Sequence, residues 1–147
     1  MYDWYTIRKY IRMLQKFHQP NLGLLLARIA VGLVFVFHGW QKLQNMDGTV
    51  GFFASLHLPA TLAYIVMIIE LLGGILMILG FFVRYVGILF AAVMVGVFAT
   101  TSGGKISGLT GHDFEFVLLL VSLAIAFQGS GAYGLQFMIK KRSSSSE

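Results

Sequence analysis

Four long apolar runs constrain this chain more than anything else in it: Leu22–Trp40, Ala60–Phe82, Tyr85–Thr100 and Phe114–Phe127, of 19, 23, 16 and 14 residues. A helix needs about 20 apolar residues to cross the hydrocarbon core of a bilayer. The first two runs meet that length outright. The last two reach it only with flanks such as Phe81, Val83, Thr101 and Gln128, so a hairpin dipping halfway is the alternative for the second half. The runs are continuous instead of alternating, which favours helices over barrel strands. A soluble domain of 147 residues could not hide a composition that is 57% hydrophobic and 12% charged, because small domains leave much of their surface exposed. The expectation is an all-α integral membrane four-helix bundle. The absence of cysteine excludes disulfides, thiol catalysis and cysteine-held clusters.

Basic residues set the expected orientation. Arg8, Lys9, Arg12 and Lys16 precede the first run, Arg84 separates the second and third, and Lys140, Lys141 and Arg142 follow the fourth, against only Lys42 and Lys105 on the other side. The positive-inside rule then places both termini in the cytoplasm. The net charge of +5 is a topology signal, with no basic face interleaved with aromatics for nucleic acid. Residues 1–20 carry Trp4, Ile7, Ile11 and Leu14 at helical spacing, with the cations on other faces. They read as an amphipathic helix in the cytoplasmic interface, attracted to anionic lipid. Residues 21–139 form the four-span domain, and residues 140–147 a basic, Ser-rich flexible tail. Leu22–Trp40 is not followed by a small-residue cleavage site and reads as a span, not a leader.

Between the first two runs, Gln41–Pro59 holds the apolar stretch Gly51–Leu56 and reads as a short interfacial or re-entrant helix over the bundle. Ser102–Asp113 is rich in Gly and Ser and reads as a mobile outer loop. Lipid tails are as apolar as leucine, so the spans must associate through close backbone contact. Gly23 and Ala27, Gly32, Gly39, Gly73 and Gly74, Gly87 and Ala91, and Ala92, Gly96 and Thr100 are placed for it. A spare small face would permit a homo-oligomer.

Charge inside the hydrocarbon costs about 2.5–3.5 kcal/mol at a helix centre, so each buried ionisable group calls for a partner or a purpose. Glu70 stands ten residues past Ala60, about 15 Å from the outer edge at helical rise. It is too deep to snorkel and must be paired or protonated. Arg28 lies about 9 Å in from the cytoplasmic edge. It either snorkels back to headgroups or reaches toward Glu70, from which its nominal depth differs by about 9 Å. His38, near the outer edge, has Lys42 one turn on, while His112, Asp113 and Glu115 open the fourth span on the same side. These groups are expected to form an outer-half pocket with Glu70 at its floor, lined by aromatics among Phe35, Phe37, Trp40, Phe52 and Phe53. Such a pocket suits proton exchange with a lipid-soluble redox partner, and a quinone is the one cofactor it suggests. The ligand and proton-handling candidates are therefore Glu70, His38, Arg28, Lys42 and Glu115. No metal is expected, since no two histidines stand at a tight ligand spacing, and neither a phosphate loop nor a nucleophile elbow is present.

Taken in order, these residues resemble the DoxX family of small four-span bacterial membrane proteins. The resemblance runs from about Leu22 to Gln136 and is carried by Arg28 with Gly32, His38-Gly39 with Lys42-Leu43, Phe52–Leu56 leading to Leu58-Pro59, and Glu70–Gly74 with Gly80 and Arg84, then by Glu115 and Gly129–Gly131. His57 stands where the family commonly has glycine, and Gln136 where it often ends in aspartate. The resemblance implies a small membrane subunit or accessory of a quinone-linked redox complex, and does not imply catalysis by this chain alone. The competing reading is a non-enzymatic assembly or chaperone-like membrane partner in which Arg28 and Glu70 are structural. A solute carrier is disfavoured, because no inverted repeat or broken helix is visible.

Overall fold

The computed structural model describes Trp4, Ile7, Arg8, residues 19–101, residues 111–137 and Ile139. Five helices are bounded among the described residues: α1 (Pro20–Gln44), α2 (Met46–Ser55), α3 (Ala60–Leu79), α4 (Val83–Thr101) and α5 (Asp113–Gln128). Three of them, α1, α3 and α4, are long and apolar enough to cross a membrane. The fourth bundle helix, α5, has 16 residues and is about 24 Å long. The third apolar run gains length in the fold because Val83, Arg84 and Thr101 join the helix. Of the interfacial helix expected over residues 1–20, Trp4, Ile7 and Arg8 are helical. Residues 9–18, the loop segment 102–110 and the tail 140–147 lie outside the described residues.

Local chemistry sets the element boundaries. Pro20 opens α1, where its missing N–H costs nothing and its fixed φ suits the first turn. Asn45 ends α1 and starts α2, its side-chain Oδ1 accepting the Gly48 N–H at 3.1 Å. The second run stops as helix at Leu79, short of Phe82. Gly80 adopts φ 75°, and the Gly80 and Phe81 N–H groups donate to the Met77 and Leu76 carbonyls at 3.2 and 3.0 Å. That pattern is a Schellman closure, which a residue with a Cβ would strain.

The bundle is two antiparallel pairs, α1 with α3 and α4 with α5. Glycines bring each pair together. A Cβ on Gly32 would stand 2.8 Å from the Gly74 carbonyl oxygen, and one on Gly87 the same distance from that of Ser122. Between the pairs the rings of Phe35 and Phe90 stack with centroids 3.6 Å apart, joined in the core by Val31, Met77, Val86 and Ile125. The start of α1 and the segment after α5 meet at one end of the bundle, here the terminal end. Helix α2 packs on α3 at the other, the loop end, as the expected helix between the first two spans.

Candidate functional site

Toward the loop end the two pairs diverge around a cavity of about 730 Å³. Helix α1 supplies Phe35, His38, Gln41, Lys42 and Asn45, and α3 supplies Leu62, Ile65, Val66, Ile69 and Glu70. Both sets recur at three- and four-residue spacing, so each is one helical stripe turned to the same space. Phe52 and Phe53 of α2, Glu115 of α5 and an apolar row on α4 complete the walls. A mostly apolar cavity with a few convergent polar groups is the usual form of a small-molecule site.

Lys42 and Glu70 form an ion pair across the α1–α3 contact, Nζ donating to Oε2. The side chain of Glu70 is 4% exposed and that of Lys42 22%, so the carboxylate is the deeper partner. His38 Nδ1 lies 2.8 Å from the Val34 carbonyl oxygen. A carbonyl only accepts, so Nδ1 carries the proton and Nε2 is left as the exchangeable nitrogen. The His38 ring faces Phe114 at 6.3 Å between centroids. Glu115 lines the cavity, while its carboxylate lies 3.7 Å from His112 of its own first turn.

The structure thus brings His38, Lys42, Glu70 and Glu115 to one cavity, and places Arg28 elsewhere. Arg28 and Glu70 do not pair. The Arg28 guanidinium lies at the terminal end, about two turns of α3 beyond Glu70, where it donates to the carbonyls of Met77 and Ile78, each at 3.3 Å, and of Ser130. Nor does it snorkel: Arg28 is 1% exposed. A cation over the last carbonyls of α3 sits at the negative end of the helix dipole, and its fork reaches two chain segments at once. Of the expected aromatic lining, Phe35, Phe52 and Phe53 face the cavity. Phe37 and Trp40 point outward, 66% and 50% exposed. His112 and Asp113 are not among the lining residues.

Sequence reasoning missed Gln41, Asn45 and Thr49, which give the cavity a polar rim. For Gln41 and Asn45 the signal was present, since they continue the α1 stripe that begins at Phe35 and His38; Thr49 lies on α2, past the break. It also missed the opening toward lipid: Ile65 of α3 and Leu89, Ala92 and Gly96 of α4 line the cavity and are also exposed. Among the described residues no three His, Cys, Asp or Glu side chains are grouped to hold a metal ion.

A sequence profile for DoxX matches residues 23–103, more than half of the chain. The chain belongs to the DoxX family. The matched segment carries Arg28, His38, Lys42, Glu70 and Arg84 and stops before Glu115. Among curated relatives, this DoxX-family chain is similar to a Bacillus subtilis (strain 168) protein named "Putative oxidoreductase CatD". The two are 40% identical over 110 residues, which is 75% of this chain and 81% of the relative. It is also similar to inner membrane protein YphA of Escherichia coli (strain K12), 43% identical over 75 residues, 50% of this chain and 54% of that protein. Inner membrane protein YqjF of the same organism is 24% identical over 124 residues, 83% of this chain and 95% of that protein. No solved structure matches the chain significantly.

Proposed function

We propose that this DoxX-family protein takes a quinone or quinol from the bilayer into the loop-end cavity and exchanges protons with it, as a small membrane subunit or accessory of a quinone-linked redox complex. The observation that carries this reading is the Lys42–Glu70 pair in the wall of an otherwise apolar cavity of about 730 Å³. Reducing a quinone to a quinol adds two electrons and two protons, so a site for it must supply protons at the two ring oxygens without admitting bulk water. In reduction the Lys42 ammonium gives a proton to one ring oxygen and a second proton, relayed by His38, goes to the other; in the reverse direction the Lys42 amine and the Glu70 carboxylate each take one proton back. His38, at the rim, passes protons between the cavity and the aqueous side through Nε2. The electrons come from a partner in the complex. The name of the Bacillus relative supports a redox setting, and the names of the Escherichia relatives support the inner membrane. On the positive-inside reading both termini are cytoplasmic, and the cavity lies in the outer half of the bilayer.

The test is what stays bound after gentle detergent purification. Near-stoichiometric quinone in the wild type, at least tenfold less in folded Glu70→Gln, supports the proposal. Folded wild-type protein that carries no quinone and takes none up from supplied lipid overturns it.

A second reading, a membrane assembly partner without chemistry of its own, draws on Ala92 and Gly96. Both are exposed, and a Cβ on Gly96 would meet nothing within 4 Å, so a partner helix has room to approach. Cross-links from Gly96→Cys to a second polypeptide, with the cavity empty of quinone, would favour it.

A further inference from the structure

At the terminal end a second cavity, of about 520 Å³, lies between the start of α1, the α3–α4 turn and the loop after α5. It is separate from the proposed quinone site and differs from it in charge. Arg84 of α4 lines it and makes no hydrogen bond or ion pair among the described residues. Just beneath, Arg28 is satisfied only by neutral carbonyls, including that of Ser130, which itself lines the cavity. The described carboxylates Asp47, Glu70, Asp113 and Glu115 are all absent from its lining. One guanidinium without a described partner, that of Arg84, therefore faces a cavity whose described walls hold no carboxylate, with Arg28 behind the Ser130 carbonyl. A cation at the membrane surface with no described counter-ion attracts an anion.

The walls are made to receive such an anion. Asn21, Gln128 and Gln136 offer amide donors, and Ser130 and Tyr85 hydroxyls. The loop is held in shape by Arg28 on the Ser130 carbonyl and by the Ala132 N–H on Asn21 Oδ1 at 3.2 Å. Left-handed backbone at Gly129 and Gly131, φ 80° and 63°, turns it around the site. The cavity sits where α4 begins and α5 ends, the depth of lipid headgroups if the helices span the bilayer. Its polar floor is flanked by exposed Phe82, Tyr85 and Phe137, aromatics of the kind that settle at the membrane interface.

We propose that this cavity binds a phosphate anion as the headgroup of an anionic phospholipid, held by Arg84 and the amides around it, with the acyl chains lying outward along the aromatic side chains. A basic pocket between helices at the membrane surface is the known physical form of anionic-lipid recognition. The same phosphate chemistry could be supplied by a soluble anion, and the two sources separate by experiment.

The purified full chain in detergent is titrated with phosphatidylglycerol, with phosphatidylcholine and with inorganic phosphate, and bound lipid is counted by native mass spectrometry. Preferential retention of phosphatidylglycerol over phosphatidylcholine, about fivefold weaker in Arg84→Gln, supports the proposal. Because Arg84 is exposed and has no hydrogen-bond or ion-pair partner among the described residues, Arg84→Gln should fold; should it not, direct competition between the two lipids on the wild type gives the reading. Equal retention of both lipids, or unchanged retention in Arg84→Gln, overturns it. Inorganic phosphate that protects against heating at millimolar concentration while phosphatidylglycerol is not retained also overturns it, in favour of a soluble ligand.

Discussion

Lys42 reaches Glu70 because, one turn earlier on α1, Gly39 touches the backbone of α3 at Leu71. A Cβ on Gly39 would stand 2.5 Å from the Leu71 amide nitrogen. Leu71 follows Glu70 directly, and Lys42 lies three residues past Gly39 on the same face. The missing side chain at one position therefore sets the distance between the two charges, and without it the pair would open into the cavity as two separate ions.

Substituting Gly39 is thus expected to damage the site before the fold. Gly39→Ala forces α1 away from α3 and should lower stability by about 2 kcal/mol, in the range of core overpacking, and reduce bound quinone as the ion pair lengthens. Gly96→Ala, which adds a methyl to open space, should leave thermal stability in detergent unchanged or raise it by up to about 1 kcal/mol. Equal effects at the two positions would contradict the close approach.

The ion pair should show coupling in a double-mutant cycle. Lys42→Met leaves Glu70 buried without a partner and should cost about 3 kcal/mol, the low end for breaking a buried pair because Lys42 is partly exposed. Lys42→Met with Glu70→Leu should recover most of that loss and still bind no quinone. Thermal melts with quinone extraction read both quantities. A double variant as unstable as the single one would mean that the charges are not coupled.

Arg28 ties the end of α3 to the loop after α5. Arg28→Met should cost about 3 kcal/mol, since buried carbonyls of Met77, Ile78 and Ser130 lose their donor. Arg28→Lys should recover little, because one ammonium cannot span positions that a guanidinium fork bridges. Unfolding in a detergent series measures it, and full rescue by lysine would show that charge alone matters.

Entry from lipid is expected between α3 and α4. Ala92→Phe with Gly96→Phe should narrow the opening and slow quinone uptake from mixed micelles at least tenfold with the melting temperature unchanged. Val95→Phe is the control: it is exposed on the same helix and does not line the cavity. Equal uptake by both variants would place the entrance elsewhere.

Much of the architecture is legible in the residues because membrane solvation is a one-dimensional constraint. Apolar run length, the Asn45 break and Pro59 locate the helices. Glu70 stands out because any carboxylate at that depth needs a partner. His38, Lys42 and Glu115 were groupable because each lies near the same end of its own span. Arg28 was not readable in this way. Its acceptors are backbone carbonyls, one of them 102 residues away, and carbonyls leave no mark in a side-chain pattern.

The sequence by itself determined that this is a helical membrane protein, with one acid and one arginine placed within its apolar runs. Only the tertiary structure decided that they serve opposite ends, Glu70 with Lys42 at the cavity and Arg28 with the carbonyls at the terminal end. Depth along a helix follows from residue count, but the choice of partner depends on which helices touch and at what rotation. In this bundle that is set by where glycine allows two backbones to meet.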